Sequence, residues 1–144
     1  MKHREMMTLP CACAQLRRAA RAATRMYNEE LRASELEITQ YTLLMALDLA
    51  GEITQKRLGR LLSMDSTTLT RTLGFLLNRG WVRAEAGEDR REKLLSLTLA
   101  GRKKFAQARP GWERAQARLR AGLGERAWGQ METLLTGVAS ATRS

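Results

Sequence analysis

One segment, from Thr54 to Gly101, restricts the fold more than any other part of the chain, because two helix-start signals lie close together in it. The Thr54 hydroxyl can cap the free backbone N–H groups of a first helix, and Asp65 can cap a second helix in the same way. Gly80 can adopt the left-handed conformation that ends the second helix. Only residues 62–64 separate the two helices, and so short a connection makes them cross steeply. These signals predict a helix-turn-helix.

The residues after Gly80 indicate a β-hairpin. Residues 81–85 alternate between apolar and polar side chains as a half-buried strand does, and residues 94–97 supply a returning strand. Residues 86–91 form a polar tip between the two strands. A hairpin directly behind a helix-turn-helix is typical of a winged helix-turn-helix, in which the second helix, the recognition helix, enters the major groove of DNA.

The recognition helix has two different faces when each residue advances by about 100°. Its expected inward stripe consists of four leucines, namely Leu69, Leu73, Leu76 and Leu77. The opposite face has no acidic residue, and its hydroxyl groups can bind phosphate oxygens and base edges. Arg71 is long enough to donate two hydrogen bonds to a guanine. Ser and Thr also tolerate a first helical turn without binding anything, but the charge and the hairpin favour DNA. The helix residues expected to contact DNA are Ser66, Thr67, Thr68, Thr70, Arg71 and Asn78.

The predicted wing carries a cluster of cations. Asp89 and Arg91 are two residues apart, and we expect them to pair and to stiffen the tip. Arg90 is then free to reach a narrow minor groove, where the negative potential of DNA is strongest. Charged hairpin tips are usually just solvated, but three cations on one hairpin favour a contact. Arg90, Arg91 and Lys93 are therefore the expected DNA contacts of the wing.

Helical patterns flank this unit on both sides. Residues 11–31 and residues 39–50 have apolar side chains at helical spacing. Thr98 is expected to cap a long helix, which Pro110 should kink without ending. Residues 122–124 break that helix before a last one begins. The apolar stripe of the last helix consists of Ala127, Trp128, Met131, Leu134, Leu135 and Val138.

So wide a terminal stripe needs a cover that a small chain lacks. The 144 residues have the size of a single domain. We expect residues 39–98 to form the winged helix-turn-helix, and residues 9–32 and 99–144 to form dimerisation helices around it. A homodimer would then hold two recognition helices about 34 Å apart. The predicted fold is therefore mainly α with a small β-wing.

The wing and the recognition helix also resemble a known family. The run from Asp89 to Arg91, followed by the run from Leu97 to Gly101, is similar to the D-x-R wing and L-T-x-x-G motif of the MarR family of bacterial transcription regulators. Residues 66–71 and 79–82 resemble the recognition helix of that family and its exit. Together these motifs cover about a third of the chain. Two residues depart from the pattern, because Ala86 stands where many members carry a further wing Asp and Phe75 where a polar residue is usual.

The resemblance implies a function and a mode of control. Members of this family are dimers that bind pseudo-palindromic operators, usually as repressors, and small phenolic ligands or cysteine oxidation often release them. It also implies a crevice between the dimer helices and the winged unit, where an aromatic effector would bind. The aromatic residues that can line it, although each also suits a protein core, are Tyr27, Tyr41, Trp81 and Trp112.

The charge of the chain indicates a polyanionic partner. The formal net charge is +10, and most of the excess lies within residues 54–104. Double-stranded DNA is therefore the expected partner. No run of residues approaches the ~18 apolar residues that span a bilayer, so no membrane partner is expected. The N-terminus also lacks the continuous apolar segment of a secretory signal, which predicts a cytoplasmic location.

The sequence does not favour an enzyme. His3 is the only histidine, which excludes a His-based triad and a multi-His metal site. No glycine-rich phosphate loop occurs, and no cofactor is expected. The alternative to a sequence-specific regulator is a non-specific architectural DNA-binding protein. It would use the same charge, but a hydroxyl-rich recognition face and a stiffened wing suit sequence reading better.

Cys11 and Cys13 allow three interpretations. They lie at the expected start of the first helix, where the positive end of the helix dipole favours a thiolate. A thiolate there can react with an oxidant or bind a thiophilic metal, although side chains two apart on a helix diverge by about 200°. Alternatively, both are small packing residues in a reducing compartment.

Overall fold

The computed structural model describes residues 9–143, so His3 and Ser144 lie outside the described residues. Six α-helices, one short 3₁₀ turn and three strands make up this range. In chain order they are α1 (Ala12–Leu31), the 3₁₀ turn (Arg32–Ser34), α2 (Ile38–Ala50), β1 (Glu52–Thr54), α3 (Gln55–Leu62), α4 (Ser66–Asn78), β2 (Val82–Ala86), β3 (Lys93–Leu97), α5 (Leu99–Leu123) and α6 (Glu125–Ala141). The predicted fold class, mainly α with a small β-wing, is confirmed.

Both helix-start signals work as predicted. The Thr54 hydroxyl accepts a hydrogen bond from the backbone N–H of Arg57 at 3.3 Å, and α3 begins at the next residue. Asp65 Oδ1 accepts from the backbone N–H of Thr68 at 2.8 Å and caps α4. The Thr68 hydroxyl also donates to the Asp65 carboxylate, and these two hydrogen bonds hold the pKa of the carboxyl below its usual value. The cap therefore keeps its charge, which suits the positive end of the helix dipole.

The end of α4 also follows the prediction. Gly80 has a positive φ of 73°, and the backbone N–H of Trp81 donates to the carbonyl of Leu76 at 3.1 Å. This bond and the one from Gly80 N–H to the Leu77 carbonyl form a Schellman motif. The motif turns the chain sharply from the recognition helix into the wing.

The wing is one edge of a three-stranded sheet, not a two-stranded hairpin. The strands lie in the order β1-β3-β2, and both pairs are antiparallel. Strand β1 adds the pairs Ile53 with Leu95 and Thr54 with Leu94. Strand β1 was not predicted from the sequence, because it is only three residues long and overlaps the cap signal of α3. Strand β1 thus anchors the wing to the helix-turn-helix.

The core lies between α2, α4, α5 and the sheet. In α2, Tyr41, Leu43 and Leu44 are completely buried. In α4, Leu69, Leu73 and Leu76 are buried as predicted, but Leu77 is 37% exposed. The inward stripe of α4 therefore has three leucines, and the assignment of Leu77 to it was wrong. Leu77 lies at the edge of the stripe in the last turn, where the chain already bends away at Gly80.

Helices α1 and α5 are joined by ion pairs and by a close backbone approach. Arg114 Nε lies 3.2 Å from Glu30 Oε2, and Arg118 Nη1 lies 3.2 Å from Glu29 Oε2. Gly111 lies against the carbonyl of Glu30 so closely that a Cβ there would overlap it. Helix α5 continues through Pro110, as predicted.

Helix α6 turns back on α5 at Gly124, which has a positive φ of 84°. The Arg120 guanidinium binds the Glu125 carboxylate with two hydrogen bonds across this turn, and it lowers the pKa of that carboxyl. No described residue of α6 is fully buried. None of the helices between residues 9 and 143 is both long and apolar enough to cross a membrane.

Candidate nucleic-acid interface

The outer face of α4 presents polar side chains to solvent. Among the predicted contacts, Ser66, Thr67, Thr70, Arg71 and Asn78 are exposed. Thr68 differs, because it is half-buried and its hydroxyl donates to Asp65 Oδ2 at 2.7 Å. The structure therefore gives Thr68 a part in capping the helix, and only the free lone pairs of its hydroxyl oxygen are left for a ligand.

A side chain from α3 reaches this face. Gln55 Nε2 donates to the Thr70 hydroxyl at 3.4 Å. The contact joins the first turn of α3 to the middle of the recognition helix. Gln55 was not predicted from the sequence, because its partner lies fifteen residues further along the chain and the contact depends on the crossing of the two helices.

The tip of the wing is stiffened through its backbone. Asp89 Oδ1 accepts from the backbone N–H of Arg91 at 3.0 Å, and the backbone N–H groups of Gly87 and Glu92 close the turn by donating to the carbonyls of Glu92 and Asp89. The expected ion pair between the side chains of Asp89 and Arg91 is not formed. Because Asp89 and Arg91 are only two residues apart in the turn, the Asp89 carboxylate lies beside the backbone N–H of Arg91. It binds that N–H and not the Arg91 guanidinium.

This backbone bond leaves the wing cations available. Arg90, Arg91 and Lys93 are all exposed, and within residues 9–143 none of them is in an ion pair. Arg83 is different, because its Nε lies 3.2 Å from Glu85 Oε1 on β2. The three unpaired cations therefore lie towards the tip and the returning strand.

Phe75 belongs to an aromatic cluster at the exit of α4. Its ring lies 6.0 Å from the ring of Trp81 in an edge-to-face arrangement, which such pairs favour. The Arg79 guanidinium lies 5.0 Å from the Phe75 centroid, and Lys104 Nζ lies 5.1 Å from the Trp81 centroid. These cation–π distances explain the aromatic residue on the polar side of the helix. The cluster holds the helix exit against the start of α5.

The four aromatic residues predicted for a ligand crevice lie in different surroundings. The Tyr41 ring stacks with Trp112 at a centroid distance of 5.9 Å and with Phe105 at 5.0 Å. These three rings form one group in the core. Burial raises the pKa of the Tyr41 hydroxyl. The Tyr27 hydroxyl donates to the side-chain carbonyl of Gln116 between α1 and α5, whereas Trp81 packs in the cluster at the exit of α4.

The two thiols are at the start of α1. Cys11 is the N-cap residue, and its Sγ accepts from the backbone N–H of Ala14 at 3.5 Å. Cys11 and Cys13 are both exposed. Within the single described chain neither thiol is buried, so all three interpretations of the two cysteines stay predictions. No group of three or more potential metal-ligating side chains comes together within residues 9–143.

The recognition helix, the three-stranded wing and the exposed polar face define a winged helix-turn-helix protein. Similarity to known proteins shows which family of winged helix-turn-helix proteins the chain belongs to. A model of the MarR family matches residues 34–92. The HTH-type transcriptional regulator YwoH of Bacillus subtilis is 37% identical over 93 residues, which are 65% of this chain and 68% of YwoH. The chain belongs to the MarR family of transcription regulators.

Solved structures of similar proteins agree with this assignment. The transcriptional regulator MOSR of M. tuberculosis, in complex with DNA, has 34% sequence identity and a TM-score of 0.79, over 92% of this chain and 99% of MOSR. A mutant of MarR from E. coli, complexed with operator DNA, has 26% identity and a TM-score of 0.79, over 88% of this chain and 91% of MarR. Because each likeness covers 88% or more of this chain, it extends beyond residues 39–98 into the flanking helices.

Proposed function

We propose that the protein is a sequence-specific DNA-binding regulator that acts as a homodimer, represses from a pseudo-palindromic operator, and is released by a small-molecule or thiol-directed signal. The observation that carries the proposal is the exposed face of α4, which is rich in hydroxyl groups and lacks any acidic side chain beyond the cap. The unpaired cations of the wing lie beside it. Such a surface suits an anionic ligand that also offers base edges to be read. MOSR and MarR, which have the same fold, were each solved with DNA.

The side chains divide into base-reading and phosphate-binding groups. Arg71 is long, exposed and unpaired within residues 9–143, so it can donate two hydrogen bonds to a guanine. Arg90 at the tip of the wing is the residue that enters the minor groove. Arg91 and Lys93 neutralise backbone phosphates. The polar groups that complete the surface are Ser66, Thr67, Thr68, Thr70 and Asn78.

Apolar side chains that one protomer leaves uncovered support the proposed dimer. Leu134 is 67% exposed and Leu135 is 48% exposed on α6, and Leu16 is exposed on α1. Full burial of one such side chain is worth about 1.5–3 kcal/mol. A second copy that covers α1 and α6 would gain several such contributions. Residues 9–32 and 99–144 are accordingly our proposed dimerisation segments, with residues 39–98 as the DNA-binding unit.

The release signal has two candidate sites. Cys11 and Cys13 are exposed at the start of α1, where an oxidant or a thiophilic metal can reach them. A small phenolic or aromatic effector is the alternative, and it would bind between the dimer helices and the winged unit. The protein works where the chromosome is, so we place it in the cytoplasm.

Footprinting on DNA tests the proposal against an architectural role. The promoter region beside the coding sequence of this protein is the first DNA to use. We expect protection of one discrete palindromic site at physiological salt. Non-specific binding weakens there to a dissociation constant of about 10⁻⁴–10⁻⁶ M. Uniform protection, or protection that disappears at this salt concentration, would favour the architectural alternative.

A further inference from the structure

A cleft lies between the first turn of α3 and the base of the wing. Its volume is about 250 Å³, and the residues that line it come from two distant segments. The lining residues are Thr54, Gln55 and Lys56 on one side and Arg91, Glu92 and Lys93 on the other. The pairing of Thr54 with Leu94 in the sheet brings the two segments together. The cleft therefore depends on β1, the strand that joins the wing to the helix-turn-helix.

The cleft is positively charged. Three of its lining residues, Lys56, Arg91 and Lys93, are cations, whereas Glu92 is its one acid. The three cations are exposed, and within residues 9–143 no carboxylate is paired with any of them. Like charges that face one cleft repel each other and favour an anionic ligand.

A second cleft lies on the other side of the same helical turn. Its volume is about 450 Å³, and it reaches Ser66 at the start of α4 and Arg60 on α3. Gln55 and Lys56 line both clefts. The first turn of α3 thus forms a ridge, which we call the α3 ridge (Gln55 and Lys56), between the recognition helix and the wing.

The α3 ridge lies where a DNA strand would have to pass. Each sugar-phosphate backbone of B-DNA separates a major groove from the adjacent minor groove. If α4 lies in the major groove and Arg90 enters the adjacent minor groove, the strand between the two grooves crosses the α3 ridge. The positive cleft beside the ridge then faces the phosphates of that strand.

We propose that Lys56, together with Arg91 and Lys93, binds one phosphate of this strand and so fixes the register of the recognition helix and the wing on the DNA. The inference rests on the proposed function, and it assigns a positioning role to Lys56. Phosphate contacts of this kind set the register of a protein on DNA and carry no base sequence information themselves. Loss of the contact should therefore weaken binding to every sequence by the same factor.

The test compares two substitutions that remove the same charge. Lys56→Gln removes the cation from the cleft, and Lys103→Gln removes an exposed cation of α5 that lines neither cleft. The probe is a duplex that the wild-type protein selects from a random pool. The affinity falls with salt in proportion to the number of phosphates bound, by about 0.9 units of logarithmic slope for each. We expect Lys56→Gln to reduce the slope by about 0.9 and Lys103→Gln to leave it unchanged.

Neutral phosphates in the probe identify the contact directly. Single methylphosphonates are placed in turn along the selected duplex. One position, between the base-contacted major groove and the wing, should weaken wild-type binding and leave the Lys56→Gln variant unaffected. If both proteins respond equally at every position, Lys56 binds no phosphate, and the inference is wrong while the proposed function stands. If the wild-type protein selects no duplex, the proposed function is wrong and this site falls with it.

A further measurement separates backbone phosphate from the free ion. Inorganic phosphate is titrated into the wild-type protein and the Lys56→Gln variant in the absence of DNA, with the Trp fluorescence and the amide spectrum as readouts. We expect no saturable binding, because a single free ion lacks the neighbouring contacts that DNA supplies. Saturable binding that Lys56→Gln abolishes, together with equal methylphosphonate responses of the two proteins, would assign the cleft to a free anion and overturn the DNA contact.

Discussion

Gly101 lies directly against the main-chain carbonyl of Trp81, and a Cβ on Gly101 would overlap that oxygen. The same carbonyl accepts a hydrogen bond from the backbone N–H of Thr98 at 3.1 Å. The Thr98 hydroxyl in turn donates to the carbonyl of Gly80 at 2.6 Å. The exit of the recognition helix is thus fixed to the start of α5 by main-chain contacts and by the Thr98 hydroxyl. The L-T-x-x-G motif has a mechanical explanation in these contacts.

Gly101→Ala should destabilise the protein because the added methyl group has no space. Overpacking of this kind costs about 1–3 kcal/mol, or more where the neighbour is backbone. The free energy of unfolding by urea is the measurement. Gly74→Ala is the control, since a Cβ there would meet no atom within 4 Å apart from the adjacent residues and the backbone of its own helix. The control should gain about 0.5–1 kcal/mol. Equal effects of the two substitutions would contradict the close approach.

Arg71→Ala tests base reading by the recognition helix. We expect a loss of about 1–3 kcal/mol on the specific operator and a much smaller loss on random DNA, because a base-edge contact exists only at the correct sequence. Titrations of both DNAs at one salt concentration measure the difference. An equal loss on the two DNAs would show that Arg71 binds the backbone and not a base.

Arg90→Ala tests the wing. The substitution should weaken binding to all sequences and reduce the salt dependence by about one unit of logarithmic slope. Arg83→Ala is a suitable comparison, because that guanidinium is already paired with Glu85 on β2. If the slope is the same for wild type and Arg90→Ala, the tip of the wing does not contact DNA.

The elements that the sequence predicted correctly depend on residues close together in the chain. The cap at Asp65 needs only Thr68, and the stop at Gly80 needs only the preceding turn of α4. A side chain within one turn of its partner leaves a readable spacing. This is why the helices, their ends and the hairpin could be predicted from one sequence. The polar residues on the outer face of α4 could be predicted for the same reason.

The elements that the sequence missed depend on distant partners. Strand β1 exists because Ile53 pairs with Leu95, and three residues alone have no detectable period. Phe75 has no explanation within its own helix, but Trp81 and the cation of Arg79 supply one across the helix exit. The cleft next to Lys56 likewise forms only when the wing returns beside α3. Contacts of this kind depend on tertiary packing, which the local pattern does not encode.

Leu134→Glu tests the proposed dimer. The side chain is 67% exposed on α6, and a charge there would have to be buried or moved when a second copy covers the helix. We expect the dissociation constant of the dimer to rise by at least about tenfold, which corresponds to 1.4 kcal/mol. Sedimentation equilibrium over a range of protein concentrations is the measurement.

Leu49→Glu is the matched control for this substitution. Leu49 is 81% exposed at the end of α2, outside the proposed dimerisation segments. The control should remain as dimeric as the wild type. A dimer that tolerates Leu134→Glu as well as Leu49→Glu would place the interface elsewhere.

We expect modification of the thiols to release the protein from DNA. Cys11 caps α1, and Arg114 and Arg118 join the other end of that helix to α5 through the acids Glu30 and Glu29. A covalent change at Cys11 therefore acts on a helix that is firmly connected to α5, which in turn packs on Trp81 through Gly101. A coupling of about 1–3 kcal/mol between the two sites would lower operator affinity by about 5- to 150-fold.

The test is an operator titration before and after treatment with hydrogen peroxide, and separately with Zn²⁺ as a thiophilic metal. The wild-type protein should lose affinity, and the double variant Cys11→Ser, Cys13→Ser should keep it, because a serine hydroxyl can still cap the helix but is neither oxidised nor a soft ligand. Cys11→Ser alone then shows whether the capping thiol is the reactive one. If wild type and the double variant release DNA equally, or if neither does, the thiols do not sense these agents, and a small aromatic ligand becomes the effector to test.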